Sequence, residues 1–156
     1  ISQMSVYRFE REQFVPASID KVWDFMSSPA NLKKITPEYM GFDIVSGGLP
    51  EKMFAGMIIS YRVSPVLGIK TTWVTEITHV ETNSYFVDEQ RVGPYALWHH
   101  LHQFIEESNG VLMKDVVHYA PPFSFLGDIA QRLFIGKKLD EIFEFRKKKL
   151  EEIFPH

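Results

Sequence analysis

The sequence predicts an α+β domain in which an antiparallel sheet of about six to seven strands packs against one long C-terminal helix. Two observations carry this. Residues 57–119 are β-rich runs separated by tight turn signals, a succession of hairpins and therefore of antiparallel pairs. From Phe125 onward the apolar residues recur at helical rather than strand spacing. No linker, repeat or low-complexity stretch interrupts the chain, so residues 1–156 are read as a single domain large enough for its own core.

Tyr7 to Phe14 alternates Tyr7, Phe9, Arg11 against Arg8, Glu10, Glu12 and reads as a strand, stopped by Pro16-Ala17-Ser18. Ser18 is a good N-cap and Asp20 places negative charge in the first turn of a helix carrying Val22, Trp23, Phe25 and Met26. Ser28-Pro29 ends that helix. Asn31 to Ile35 forms a second short one, closed before Pro37. Phe42 to Val45 is a short strand followed by a Ser46-Gly47-Gly48 turn.

Met57–Val63, Ile69–Val80, Tyr85–Val92 and Tyr95–Glu107 then read as strands, joined in part by Thr82-Asn83 and Gly93-Pro94. Asn109-Gly110 is the strongest hairpin signal and leads into Val111–Tyr119, which Pro121-Pro122 terminates. In the last helix, Leu126, Ala130 and Leu133 begin an apolar row continued by Leu139, Ile142, Phe143, Leu150 and Ile153. Gly136 interrupts this row, and a bend or a close packing contact is expected there.

The formal net charge of −3 gives no basic face, so no nucleic-acid partner is expected. With no cysteine, disulfides and thiolate zinc sites are excluded. No apolar run approaches the ~18 residues of a membrane helix, so no stable membrane insertion is expected. Ile1 to Ser5 carries no signal-peptide pattern, and a cytoplasmic protein is expected. There is no Gly-x-Ser-x-Gly elbow, no Gly-rich phosphate loop and no His-Glu-x-x-His, so no cofactor or metal is expected. The 13 Phe, 6 Tyr and 3 Trp either fill a core or line a cavity.

One strand stands out. In Trp98-His99-His100-Leu101-His102-Gln103-Phe104, alternation puts Trp98, His100, His102 and Phe104 on one face. Two imidazoles between two large aromatics suit an apolar pocket with a few placed polar groups. The Asn109-Gly110 turn offers two registers. If Glu107 pairs with Gly110, His102 faces Asp115, His100 faces Val117 and Trp98 faces Tyr119; if Ser108 pairs with Val111, His102 faces Val117 and Phe104 faces Asp115. Both put His100, His102, Asp115 and Tyr119 on one face, and the first allows a His102–Asp115 hydrogen bond.

Four readings of this cluster stand side by side. It is a satisfied buried network that fixes strand register, or a polar anchor for an amphipathic ligand. Alternatively it is an acid–base pair with His102 as base and Tyr119 as acid, or a chelating pair completed by Asp115. Asp88 shares a face with Phe86 and Gln90; it is a candidate second polar group of the cavity but reads more simply as an exposed strand acid. Met53, Phe54 and Met57 around Gly56 suit a cavity gate or edge packing, and Phe123, Phe125 and Phe134 suit closure of the other end. Leu97, Leu101, Leu112 and Val116 lie on the face opposite the histidines, where an exposed patch would favour a homodimer.

The order Phe14-Val15-Pro16-Ala17-Ser18, Val22-Trp23-Asp24-Phe25 and Ser28-Pro29-Ala30-Asn31-Leu32 carries a resemblance, continued by Gly93-Pro94-Tyr95, Trp98, His102-Gln103-Phe104, Asp115, Tyr119 and Pro122. Leu133-Phe134-Ile135 and Ile142-Phe143-Glu144-Phe145-Arg146 complete it. Nearly the whole chain resembles the helix-grip (SRPBCC) superfamily, which includes Bet v 1, the START lipid-transfer domains and the polyketide cyclase/dehydrase-like proteins. The resemblance implies a curved sheet wrapped around the long helix with a cavity between them, and no particular reaction.

The expected function is binding of a small hydrophobic or amphipathic ligand, lipid-, isoprenoid- or polyketide-like, in that cavity. The expected ligand contacts are Trp73, Phe86, Trp98, His100, His102, Phe104, Met113, Asp115, Val117, Tyr119, Phe134 and Phe143. The alternatives are a cyclase/dehydrase- or isomerase-type enzyme using His102, Asp115 and Tyr119, and an interaction module with a filled core.

Overall fold

A computed structural model describes residues 4–64 and 69–156, leaving out the side chains of Ser124 and Phe125, and with them the part Phe125 was expected to play in closing the cavity. Seven antiparallel strands form one curved sheet: β1 (Tyr7–Val15), β2 (Asp43–Ile44), β3 (Met57–Val63), β4 (Thr71–Glu81), β5 (Tyr85–Val92), β6 (Leu97–Glu107) and β7 (Gly110–Ala120). Their spatial order is β1-β7-β6-β5-β4-β3-β2. The first strand therefore returns beside the last, and the consecutive hairpins β3 to β7 run side by side as the turn signals require. Register shifts between β4 and β5, around Val74/Thr75 and Ile77/His79, are bulges that add bend and twist to the sheet.

Helix α1 (Ile19–Met26) follows β1, with the Ser18 hydroxyl accepting from the Lys21 amide at 3.3 Å as its cap. Next come a 3-10 segment (Pro29–Ile35) and a single 3-10 turn (Glu38–Met40). The expected second short helix thus takes the tighter 3-10 form, begun by Pro29.

Glu107 pairs with Gly110, so the first of the two registers is the one adopted. Gly110 is required there, because an added Cβ would lie 2.3 Å from the Val15 carbonyl oxygen at the end of β1. Asn83, in the β4–β5 turn, takes a left-handed φ of 62°, which asparagine tolerates better than most residues.

The C-terminal helix is continuous but not uniform. Helix α2 (Ser124–Ala130) passes through a π-helical turn (Gln131–Ile135) into helix α3 (Gly136–Ile153). The irregularity expected at Gly136 is this π turn, and a Cβ at Gly136 would crowd the Gln131 amide at 3.2 Å. The apolar row divides at the same place. Leu139, Phe143 and Leu150 are buried on α3, whereas Leu126 and Leu133, expected to continue the row, are exposed. π turns of this kind recur at functional sites.

Two packed clusters hold the fold. The larger gathers Val22, Trp23 and Met26 of α1 with Ile59, Ile77, Phe86, Phe104, Met113 and Leu150. Met53 and Met57 belong to it, while Phe54 is exposed. The smaller joins Phe9, Val117 and Tyr119 to Leu139 and Phe143 of α3, with the Phe9 and Phe143 rings 4.8 Å apart. The inner sheet face is the one carrying His100, His102 and Phe104, and all three are buried. On the outer face Leu97 and Ile105 remain exposed.

Candidate functional site

Between the inner sheet face, the 3-10 segments and α3 lies a cavity of about 870 Å³. Tyr61, Val63, Trp73, Tyr95 and Trp98 form its sheet wall. Leu32, Ile35, Met40 and Phe42 form one side, and Leu139, Ile142 and Phe143 of α3 the other, with Phe134 at the π turn. Trp73 meets the Trp98 ring edge-on at 5.3 Å, and Tyr95 lies 4.9 Å from Trp98, so these aromatics brace one another.

Most of the wall is apolar; Asp88, His100, His102 and Arg146 form its buried polar cluster, and Thr36, Ser64, Lys137, Lys138 and Glu141 also line it. β5 sets Asp88 directly opposite His100, and β6 sets His102 directly opposite Asp115. The side chains then bond diagonally. His100 Nε2–H donates to Asp115 Oδ1 at 2.8 Å, and His102 Nε2–H donates to Asp88 Oδ2 at 2.5 Å. Arg146 donates to the other oxygen of Asp115 at 3.1 Å. The His102–Asp115 bond allowed by the register is not the one formed: His102 Nδ1 stands 3.4 Å from Asp115 Oδ1 and has no hydrogen-bond partner. Asp115 swings instead to His100, two residues along the strand.

The two imidazoles stack at 3.5 Å between centroids, and Phe86 stacks on the far side of His102 at 4.0 Å. Two stacked imidazoles so close do not both hold an extra proton. Burial works against a charge on His102, but Asp115 and Asp88 on either side of it outweigh burial and raise its pKa. Burial and the neighbouring His102 charge lower that of His100, which stays neutral. Burial acts to raise both carboxyls, yet His102 holds Asp88 below its ordinary value, and Arg146 with the imidazoles holds Asp115 well below. Two carboxylates thus face one imidazolium and one guanidinium, and the cluster is neutral as a unit.

A pH dependence follows from the raised His102. Its protonated form is favoured by folding, so its contribution is complete below the unfolded histidine value of 6.5 and is lost as pH rises through the higher folded value. Thermal unfolding of the wild type should therefore show a declining midpoint over that alkaline window. His102→Gln should remove the decline, and an unchanged profile in the variant would refute the assignment.

Of the residues singled out in the sequence, Trp73, Trp98, His100, His102, Phe134 and Phe143 stand on the cavity wall. Phe86, Phe104, Met113, Val117 and Tyr119 are buried in the packed layers behind it, and Asp115 braces the cluster from behind. Asp88, read as an exposed strand acid, instead lies inside the site, because the concave face of β5 turns it toward His102. Sequence reasoning gave Arg146 no role. Its signal was a charged residue in line with Leu139, Phe143 and Leu150 on the buried helical face. Among the described residues Asp88, His100 and His102 each offer a ligand atom within 4.8 Å of the others and could hold a metal ion, which would have to displace the proton between His102 and Asp88.

The comparisons agree with this architecture. Residues 15–143 match the family model described as polyketide cyclase / dehydrase and lipid transport. The chain belongs to that family, within the superfamily that the sequence resembles. No curated protein sequence matches it. Among solved structures, TTHA0849 from Thermus thermophilus is 19% identical, covering 94% of this chain and 95% of its own, at a TM-score of 0.66. CV1439 from Chromobacterium violaceum is 13% identical over 96% and 97% of the two chains, at 0.70. The Bet v 1-like Ara h 8.0201 is 15% identical over 95% and 99%, at 0.59. At these identities the likeness establishes the shared fold.

Proposed function

We propose that the protein binds a small amphipathic molecule, lipid-, isoprenoid- or polyketide-like, whose apolar body fills the cavity and whose uncharged oxygen head meets His102 and Asp88. The observation that carries this is a cavity of about 870 Å³ with one charge-balanced cluster of buried polar side chains in its wall, Asp88, His100, His102 and Arg146 with Asp115 behind them. Apolar contact contributes about 25 cal/mol per Å² of ligand surface buried. The cluster then fixes orientation. A carboxylate or ammonium head would add an unbalanced charge to buried groups that already neutralise one another, whereas a hydroxyl or carbonyl adds none. So large a cavity counts against the filled-core reading.

A matched set of ten-carbon ligands tests this: decanol and 2-decanone against decanoate and decylamine, followed by quenching of the Trp73 and Trp98 fluorescence. The uncharged pair should bind at least tenfold more tightly. Tighter binding of decanoate would refute the neutral head, and saturable binding by none of the four would refute the cavity reading.

One observation favours a second reading, an enzyme of cyclase/dehydrase type. His102 reaches the cavity while Asp88 orients its ring, the arrangement of a proton-transfer dyad. Since its pKa is raised, His102 acts in this reading as an acid toward a substrate carbonyl oxygen. His102→Gln would then abolish turnover while leaving ligand affinity within a few-fold.

A further inference from the structure

We propose that the apolar ridge formed by the segment from Phe123 to Phe134 docks the protein onto an anionic lipid bilayer. This rests on the surface of the segment and not on what the cavity holds. Phe123, Leu126, Ile129, Leu133 and Phe134 are 80%, 58%, 47%, 55% and 62% exposed, a run of large apolar side chains presented to water by one short stretch of chain. Isolated exposed apolar residues need no explanation, but a contiguous group of this size marks an interaction surface. The fold itself gives no reason for Phe123 to stand out. It takes a left-handed φ of 67°, costly for a bulky side chain, with its ring almost entirely in solvent.

Charge selects the occupant. Among the described residues from Phe123 to Lys137, Arg132 and Lys137 are exposed cations and Asp128 is the sole acid, while the next residue, Lys138, is ion-paired with Glu141 at 3.2 Å. Asp128 is turned away from the ridge, where it accepts hydrogen bonds from Ser5 Oγ at 3.1 Å and Tyr7 Oη at 2.5 Å. Apolar side chains flanked by exposed cations fit the acyl boundary and headgroups of an anionic membrane. A second copy would instead set these like charges against each other. No helix among the described residues is long and apolar enough to cross a membrane, so the contact is peripheral. The ridge also runs into the cavity wall at Leu133, Phe134 and Lys137, which places the docked bilayer against the cavity.

The test is flotation of the intact protein with phosphatidylcholine vesicles, with or without about one-third phosphatidylglycerol. Each surface cation contributes roughly fivefold to anionic membrane affinity, so with Arg132 and Lys137 the mixed vesicles should bind roughly twenty- to thirty-fold more tightly. Phe123→Ser with Leu126→Ser should lose binding without lowering the unfolding temperature, since both side chains are exposed. Arg132→Gln with Lys137→Gln should lose ten- to thirty-fold on the mixed vesicles and little on the neutral ones. Failure of the wild type to float with the mixed vesicles would overturn the proposal, as would wild-type binding by both variants. A dimer in light scattering that Phe123→Ser and Leu126→Ser convert to monomer would also overturn it, and would assign the ridge to a second copy.

Discussion

Asp115→Asn should lower the free energy of unfolding by about 3–5 kcal/mol, the usual consequence of leaving one member of a buried ion pair without its partner. Asp115 is the only carboxylate that the described structure sets against Arg146, and both side chains are at most 10% exposed. An asparagine at this position still meets His100 but offers Arg146 no charge. The guanidinium must then stay desolvated and unpaired or pull α3 away from the sheet. Chemical denaturation of Asp115→Asn, Arg146→Met and the double variant separates the pair from its parts. The double variant should recover most of the loss, because replacing a buried pair by apolar groups is often close to neutral. A single variant within 1 kcal/mol of wild type would show that the pair does not hold α3 to β7.

Trp98→Ala should weaken ligand binding by roughly thirty- to a hundred-and-fifty-fold. A buried aromatic ring contributes about 150–250 Å² of contact, and Trp98, which lines the cavity, is taken to give about half of that to a ligand. At about 25 cal/mol per Å² this is about 2–3 kcal/mol. Trp98 also braces Trp73, Tyr95 and Tyr119, so Trp98→Phe serves as the control that keeps a ring in place. Calorimetric titration with decanol should rank wild type, then Trp98→Phe, then Trp98→Ala. Equal affinities across the three would place the ligand elsewhere.

The strands were legible because their turns are written in local chemistry. Alternation over Met57–Val63 and Tyr85–Val92 gives those strands to the residue, and the Asn109-Gly110 signal marks the hairpin that aligns His102 with Asp115. Register, however, fixes Cα partners and not side-chain bonds. The diagonal bonding of His100 to Asp115, and of His102 to Asp88, depends on rotamers and on a third strand whose concave face the sequence does not identify.

Asp88 was obscured for that reason: an acid followed by Glu89, Gln90 and Arg91 gives no sign of burial until the sheet curves around it. Arg146 was hidden in a lysine-rich helix, although its place in the apolar row was readable. Leu126 and Leu133 fit the helical period, but the π turn separates them from the buried row, and local sequence patterns do not announce such a turn.

The central claim is that the cavity between sheet and α3 holds a ligand with an uncharged polar head. Native mass spectrometry of the protein purified from its own host, followed by solvent extraction of whatever it carries, tests this most directly. The account predicts one stoichiometric amphipathic molecule bearing a hydroxyl or carbonyl, with much less retained by Trp98→Ala. A carboxylate or ammonium ligand, or a bare protein mass together with no binding of the ten-carbon series, would contradict it.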